Sequence, residues 1–293
     1  MRRPLVLLIL TISLGSGACS GADPAASPQP STTTSAPTDA DPADEQPFSV
    51  TVDGREFSGH CTGDAASGSP TVILESGLGG DQYALGLIEE QLAARTKVCA
   101  YDRAGIGGSD QPADTPRPVT DLVSDLHGVL TAAEIEPPYL LVGQSMGANI
   151  VFMYAQAYPD EVNGFVAMNP VPPYTDWIRR ARAVYSSKAE LRSNEISFYE
   201  GANDEEVSFQ STDGMLADPL PSSMPYTVMF AEDCGGDTEF CDRVLLPLSA
   251  ATRTLAAVGE GGSFVWVKGA GHEIFVTDLD TVMEAIDGAW SSS

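Results

Sequence analysis

A sharp glycine-flanked turn between a buried strand and a helix constrains the fold of this 293-residue chain most strongly. The apolar run from Tyr139 ends in the pentapeptide Gly143-Gln144-Ser145-Met146-Gly147, and a helical pattern continues from there to Tyr158. Side chains two residues before and after the serine would collide across such a turn, so glycine is needed at both positions. A G-x-S-x-G turn exposes its serine hydroxyl and predicts a nucleophile at Ser145. A chance match in an ordinary loop is the alternative for the pentapeptide taken alone.

Strand-like and helical segments alternate around this turn. Runs rich in Val and Leu predict eight strands, at 48–52, 55–61, 71–75, 97–101, 139–143, 164–168, 226–230 and 263–268. Asp53-Gly54 predicts a hairpin between the first two, and the main helical patterns cover 83–95, 121–133, 145–158 and 278–290. This order predicts an α/β fold, a mostly parallel central sheet with helices on both faces, and ligands at the carboxyl ends of its strands.

The alternation lapses between about residues 171 and 224. This segment has helical stretches, no credible strand and several aromatic residues, among them Trp177, Tyr199 and Phe209. Because long ordered insertions are usually functional, we expect a helical cap over the strand ends, with packing elsewhere as the alternative. Residues 47–293 are then one domain with a cap insertion.

The N-terminus has the pattern of an export signal. Arg2 and Arg3 precede an apolar stretch at 4–14, which is too short to span a bilayer, and small residues follow it. Residues 1–18 are therefore predicted to be a signal peptide, which places the protein outside the cytoplasm.

A cysteine and a flexible linker follow the predicted signal. Cys19 resembles the lipid-attachment cysteine of bacterial lipoproteins, although Ser16 occupies a position where that motif usually has an apolar residue. Residues 19–46 are rich in Pro, Ser, Thr and Ala and cannot bury enough apolar surface to fold. We expect a domain tethered to the outer face of the membrane through Cys19, with plain secretion as the alternative.

The formal net charge of −26 argues against binding to nucleic acid or attraction to anionic lipid. Membrane contact is therefore expected only through the N-terminal anchor. The expected partner is a small-molecule substrate, and the sequence leaves the oligomeric state open.

Export permits disulfides among the other four cysteines. The pairs we predict are Cys61 with Cys99, which end candidate strands, and Cys234 with Cys241, which are close neighbours in one loop. Zinc binding is the alternative, but there is no Cys-x-x-Cys pair and none of the three histidines has a convincing ligand spacing with the cysteines. No metal or organic cofactor is expected.

A nucleophilic serine needs a base, and His272 is the best candidate. It follows the last predicted strand in a glycine-rich loop that can bring an imidazole over the turn at Ser145. His127 lies inside a helical pattern and His60 beside a predicted disulfide, so both are interpreted as structural.

The base in turn needs a carboxylate, expected after the strand at 226–230. Glu232, Asp233 and Asp237 are all available there. Asp233 has the best reach from the strand end and is our choice, with Asp237 next. The corresponding position after the preceding strand holds Asn169, which is not an acid.

Backbone N–H groups are the simplest donors to a developing oxyanion. Met146 follows the nucleophile at the start of a helix, and Leu78 lies in a glycine-rich turn after the strand at 71–75. These two residues are the predicted oxyanion hole. Neither the G-x-x-x-x-G-K-S/T motif nor the G-x-G-x-x-G motif of phosphate-binding loops is present, which disfavours a phosphate site.

Taken together, these motifs resemble the α/β-hydrolase superfamily over essentially all of residues 47–293. The resemblance rests on the turn at 76–80, the run at 101–109, the turn at Ser145 and Gly271-His272. It implies Ser145 as nucleophile, His272 as acid and base, and Leu78 with Met146 as the oxyanion hole. Asp102 and Arg103 resemble the family's loop-bracing pair. Ser76 replaces a histidine common in the family, which leaves the Leu78 backbone donor intact.

The sequence therefore predicts an exported serine hydrolase that cleaves a carboxylic ester through an acyl-enzyme. Serine at the turn disfavours epoxide hydrolases and haloalkane dehalogenases, which use aspartate there. A proline-releasing aminopeptidase, whose turn usually contains tryptophan, and a cofactor-free haloperoxidase-like activity are alternatives on the same residues. An alternative of another class is a non-catalytic binding lipoprotein on a hydrolase fold.

Overall fold

The computed structural model of the chain describes residues 45–64, 68–184, 193, 196–232 and 246–290. Eight strands form one sheet in the order β1-β2-β4-β3-β6-β7-β9-β10. They are β1 Gln46–Val52, β2 Arg55–Thr62, β3 Thr71–Glu75, β4 Val98–Tyr101, β6 Tyr139–Gln144, β7 Val162–Met168, β9 Tyr226–Glu232 and β10 Gly262–Lys268. The pairs β1–β2 and β2–β4 are antiparallel and all others are parallel, which confirms the predicted fold class.

Helices cover both faces of this sheet. They are α1 Gly86–Ala93, α2 Val119–Ala132, α3 Met146–Ala157, α4 Tyr174–Val184, α5 Gly214–Ala217, α6 Leu246–Leu255, α7 Ile274–Thr277 and α8 Leu279–Trp290. Side chains alternate between faces along β6: Leu141 packs with α2 and α3, whereas Leu140 and Val142 pack with α1 and α8. All three are fully buried, so two apolar cores enclose the central strands.

The insertion, residues 171–224, is mostly helical where the structure describes it. The expectation that it contains no strand is wrong, because β8 (Val207–Ser208) pairs in parallel with β5 (Arg117–Pro118). Two residues are too few to give a sequence signal for a strand. Asn149 on α3 holds the start of the insertion, donating to the Val171 carbonyl at 2.7 Å and accepting from its N–H at 3.0 Å.

One predicted cysteine pair joins the N-terminal hairpin to the next strand of the sheet. Cys61 on β2 and Cys99 on β4 are direct cross-strand partners, and their Sγ atoms are 2.09 Å apart, the separation of a disulfide bond. The lipid-attachment residue Cys19 and the second predicted pair, Cys234 with Cys241, lie outside the described residues. Within the described ranges, no helix combines the length and apolar character that crossing a bilayer requires.

Candidate active site

Ser145 occupies the strained turn that the sequence predicts. It joins β6 to α3 with φ of 54° and ψ of −119°, a positive-φ conformation that is uncommon for residues other than glycine. A β-carbon added at Gly143 would approach the Gly147 carbonyl within 3.0 Å, and one at Gly147 would approach the Glu75 carbonyl as closely. The Ser145 N–H donates to the Met168 carbonyl of β7 at 2.8 Å, so the turn is held against the neighbouring strand.

The turn after β3 packs directly on Ser145. A β-carbon at Gly77 would lie 3.3 Å from Cβ of Ser145 and even closer to the Gln144 amide oxygen, so a larger residue would displace the Gln144 side chain and crowd Ser145. The turn is closed by a hydrogen bond from the Gly80 N–H to the Gly77 carbonyl at 3.1 Å. Leu78, one predicted oxyanion donor, lies inside this turn. Met146, the other, is the first residue of α3, where N–H groups have no intrahelical acceptor.

His272 lies at the same edge of the sheet, exposed in the loop between β10 and α7. Its Nδ1 atom is 2.9 Å from the side-chain nitrogen of Asn169, the residue that follows Met168 at the end of β7. Because Met168 also accepts the Ser145 N–H, the base candidate and the nucleophile meet the end of the same strand. Among the hydrogen bonds of the described residues, none joins the Ser145 hydroxyl to His272, and such bonds often form only with substrate present.

The orientation of the Asn169 amide is fixed by a second contact. The Ala231 N–H donates to Asn169 Oδ1 at 3.2 Å, which leaves the amide NH₂ group facing His272 Nδ1. Asn169 itself has φ of 54°, which asparagine tolerates better than most residues. From the sequence, Asn169 is only the residue that stands where an acid is absent, and nothing there indicates its contact with the histidine.

Of the three candidate acids, only Glu232 is described. It ends β9, and its carboxylate accepts a hydrogen bond from the Trp266 indole of β10 at 2.8 Å. Asp233 and Asp237 lie outside the described residues. The choice between them therefore stays a prediction.

A buried ionic cluster lies beneath the turn at Leu78. Arg103, Glu75 and Glu205 each expose 1% of their side chain, and the guanidinium contacts Glu75 at 2.9 Å and Glu205 at 2.7 Å. Burial raises the pKa of Glu75 to about 7, and the Glu205 charge adds to this, whereas Arg103 opposes it. Burial alone would lower the pKa of Arg103, but the two carboxylates outweigh it and the pKa is raised. Glu205 gave no sequence signal of this role.

The other residues that the sequence analysis singled out have structural contacts. Asp102 accepts hydrogen bonds from the backbone N–H groups of Gln82 at 2.8 Å and Gly108 at 2.9 Å, and so braces its loop. The two ring nitrogens of buried His60 are each 2.8 Å from a partner, Gln82 or Glu89. His127 on α2 contacts the Glu161 carboxylate at 3.2 Å.

No group of three or more His, Cys, Asp or Glu side chains within the described ranges is arranged to hold a metal ion. The described part of the site thus contains a serine on a strained turn and a histidine that contacts an amide, beside the two residues whose N–H groups are the predicted oxyanion donors. A set of this kind can deliver a serine hydroxyl to a carbonyl group once the histidine presents an unprotonated Nε2, and backbone N–H groups can then stabilise the resulting oxyanion.

Comparison with known proteins agrees with this architecture. Residues 70–214 match the family model described as "alpha/beta hydrolase fold". A thermophilic esterase from Thermogutta terrifontis superposes with a TM-score of 0.57 at 17% identity, covering 83% of this chain and 97% of the esterase. The chain therefore has the α/β-hydrolase fold.

The sequence relatives either have low identity or match only part of the chain. The chain is 26% identical over 273 residues to the Caulobacter segnis protein named "Putative carbamate hydrolase RutD", covering 80% of this chain and 96% of that protein. It is 32% identical over 120 residues to YqjL of Bacillus subtilis, covering 41% of this chain and 46% of YqjL. The match thus spans about half the length of YqjL.

Proposed function

We propose that this chain, which has the α/β-hydrolase fold, is a serine hydrolase that cleaves a carboxylic ester through an acyl-enzyme. The observation that carries the proposal is the strained conformation of Ser145 beside the turn that contains Leu78. Backbone strain of this kind persists only where the surrounding structure enforces it, and it concentrates at active sites. The N-terminal pattern of residues 1–19 supports the further proposal that the enzyme acts outside the cytoplasm.

The reaction follows from the roles of four groups. Ser145 Oγ attacks the ester carbonyl while His272 Nε2 takes its proton. The oxyanion of the tetrahedral intermediate accepts hydrogen bonds from the N–H groups of Leu78 and Met146. Collapse of the intermediate breaks the ester bond, and His272 returns the proton to the departing alcohol. Water then attacks the acyl-serine through the same steps, which releases the acid and restores Ser145.

The contact between Asn169 and His272 makes the acid essential to this scheme. An amide NH₂ group facing Nδ1 favours the tautomer with its proton on Nε2, which cannot accept the proton of Ser145. A carboxylate at Nδ1 favours the opposite tautomer, with a lone pair on Nε2. Asp233 is our proposed source of that carboxylate.

We expect replacement of Asp233 by asparagine to lower kcat by about 10³- to 10⁴-fold, because His272 loses the partner that selects its base form. Asp237→Asn and Glu232→Gln serve as matched controls and are expected to stay within about threefold of wild type. Steady-state hydrolysis of a chromogenic ester measures all three. If Asp233→Asn is as fast as its two controls, the acid is assigned wrongly.

A second substitution tests the same geometry. Asn169→Asp places a carboxylate where the amide now meets His272 Nδ1, and its other oxygen can still accept the Ala231 N–H. The double variant Asp233→Asn/Asn169→Asp should therefore have a kcat at least about tenfold above that of Asp233→Asn alone. Asn169→Ala in that background should recover none. Equal rates for the two double variants would contradict the proposed role of the carboxylate.

The substrate class is tested by a panel that varies one group at a time. We expect measurable kcat/KM on p-nitrophenyl esters of two to twelve acyl carbons. Values on the matched p-nitroanilides should be at least about 10³-fold lower, because the aniline is a poorer leaving group than the phenol. An aryl carbamate belongs in the panel because of the name of the Caulobacter segnis relative. A higher kcat/KM on the carbamate or on an anilide than on every ester would contradict the assignment of an ester substrate.

A further inference from the structure

The hydrogen bonds of Arg103 account for every N–H group of its guanidinium. Nε and Nη2 donate to the two oxygens of Glu205 at 3.0 and 2.7 Å, and Nη1 donates to Glu75 at 2.9 Å. The two remaining donors reach backbone carbonyls of the turn after β3, that of Ser76 at 2.9 Å and that of Gly77 at 2.6 Å. The cluster thus holds the backbone of the turn itself.

The bond to the Gly77 carbonyl fixes the direction of the Leu78 N–H. These two groups belong to one planar peptide, and in a trans peptide the C=O and N–H point in opposite directions. Only two peptide bonds among the described residues are cis, both before proline, so the peptide between Gly77 and Leu78 is trans. Its carbonyl points at buried Arg103, and the Leu78 N–H therefore points away from the cluster.

The next peptide is held by the same pair of side chains. The Gly79 N–H donates to Oε1 of Glu205 at 2.6 Å, the same oxygen that binds Nη2 of Arg103. Gly79 has φ of +76°, a conformation that suits glycine. Both peptides that flank Leu78 are consequently oriented by the Arg103–Glu205 pair.

Glu205 comes from the insertion, 102 residues along the chain from Arg103. Its position is set by its neighbours: the Arg117 N–H donates to the Glu206 carbonyl at 2.9 Å, and Val207 pairs with Arg117 in the two-stranded sheet. Burying one cation with two carboxylates is costly and is poor evidence for added stability. A role in holding geometry accounts for its position better than a role in stability.

We propose that Arg103 and Glu205 are positioning residues that aim the Leu78 N–H at the oxyanion. The insertion thereby completes the oxyanion hole. Neither side chain touches substrate; both act through the backbone of the turn. The inference rests on the proposed function, because it assigns a part to the oxyanion donor of that reaction.

Full-length protein labelled with ¹⁵N-leucine and titrated with butylboronic acid tests the inference. A boronate bound to Ser145 is tetrahedral and places an oxygen where the oxyanion forms, so the Leu78 amide proton should move downfield in wild type. In Glu205→Gln, which keeps the shape but removes the charge, we expect that shift to shrink. The same variant should lose about 10- to 100-fold in kcat with KM within about twofold, since the interaction acts in the transition state.

Two further variants keep the result interpretable. Glu206→Gln changes the exposed neighbour and should match wild type in both readouts. Arg103→Lys keeps the charge but cannot supply five donors, so it should repeat the kcat loss, and it replaces Glu205→Gln as the test if that variant does not fold.

The possible outcomes distinguish failure of the positioning role from failure of the proposed function. If boronate binds Ser145 but the Leu78 amide does not respond, or if Glu205→Gln keeps wild-type kcat and boronate affinity, the positioning role is overturned while the serine hydrolase stands. If boronate does not attach to Ser145 in wild type, the proposed function itself fails, and the positioning role fails with it.

Discussion

Replacement of Ser145 by alanine is expected to lower kcat on the best ester substrate by about 10⁴-fold or more. The reaction needs a nucleophile at this position, and removing the serine of a comparable triad leaves only the rate due to binding and oxyanion stabilisation. The alanine should be tolerated structurally, because a β-carbon already occupies the strained turn. KM for any residual activity should be little changed. Initial rates with purified variant and wild type, compared at matched protein concentration, measure the effect.

Two controls test whether the loss of activity is specific to Ser145 and independent of unfolding. Ser124→Ala changes an exposed serine on α2 and should leave kcat unaltered. Thermal unfolding of Ser145→Ala should give a midpoint within a few degrees of wild type, which excludes loss of activity through loss of fold. A folded Ser145→Ala protein with more than a tenth of wild-type kcat would show that another group is the nucleophile.

The second large effect is structural. Replacement of Gly147 by alanine should lower the free energy of unfolding by about 3 kcal/mol and abolish ester hydrolysis. The added methyl group would approach the carbonyl carbon and oxygen of Glu75 and the carbonyl of Ser76 within 3.0 Å. These are backbone atoms that begin the turn holding Leu78, so relief of the clash must move the turn against Ser145. Urea denaturation followed by circular dichroism measures the loss.

Gly288→Ala is the matched control, because it adds the same methyl group in α8 at a position where, apart from the helix's own backbone and the adjacent residues, no atom of the described residues lies within 4 Å. Alanine is the better helix former there, and we expect a gain of up to about 1 kcal/mol. A Gly147→Ala variant that unfolds at the same urea concentration as wild type would contradict the close packing between the nucleophile turn and the end of β3.

The sheet could be predicted from the sequence because its signals are local. Alternating apolar runs and the Asp53-Gly54 turn predicted the eight strands of the sheet, with small differences at their ends, such as the extension of β9 to Glu232. The turn at Ser145 was predictable for the same reason, since the need for glycine at Gly143 and Gly147 is written into five adjacent residues.

The contacts around the site were not predictable because they join distant segments. Glu205 meets Gly79 across 126 residues, and Asn169 meets His272 across 103. No periodicity or spacing marks such pairs; they depend on how the insertion and the loop after β10 return to the strand ends. The sequence indicated only that Arg103 braces its own loop. In the structure its guanidinium contacts both Glu205 of the insertion and the Gly77 carbonyl of the turn at Leu78.

The most direct test of the account is reaction with a fluorophosphonate probe, which modifies a serine only where a base and an oxyanion hole activate it. We expect one adduct per folded chain, mapped by peptide mass spectrometry to Ser145, and its loss in His272→Ala or on unfolding. Folded wild-type protein that carries no adduct at Ser145 after prolonged exposure would contradict the assignment of this chain as a serine hydrolase.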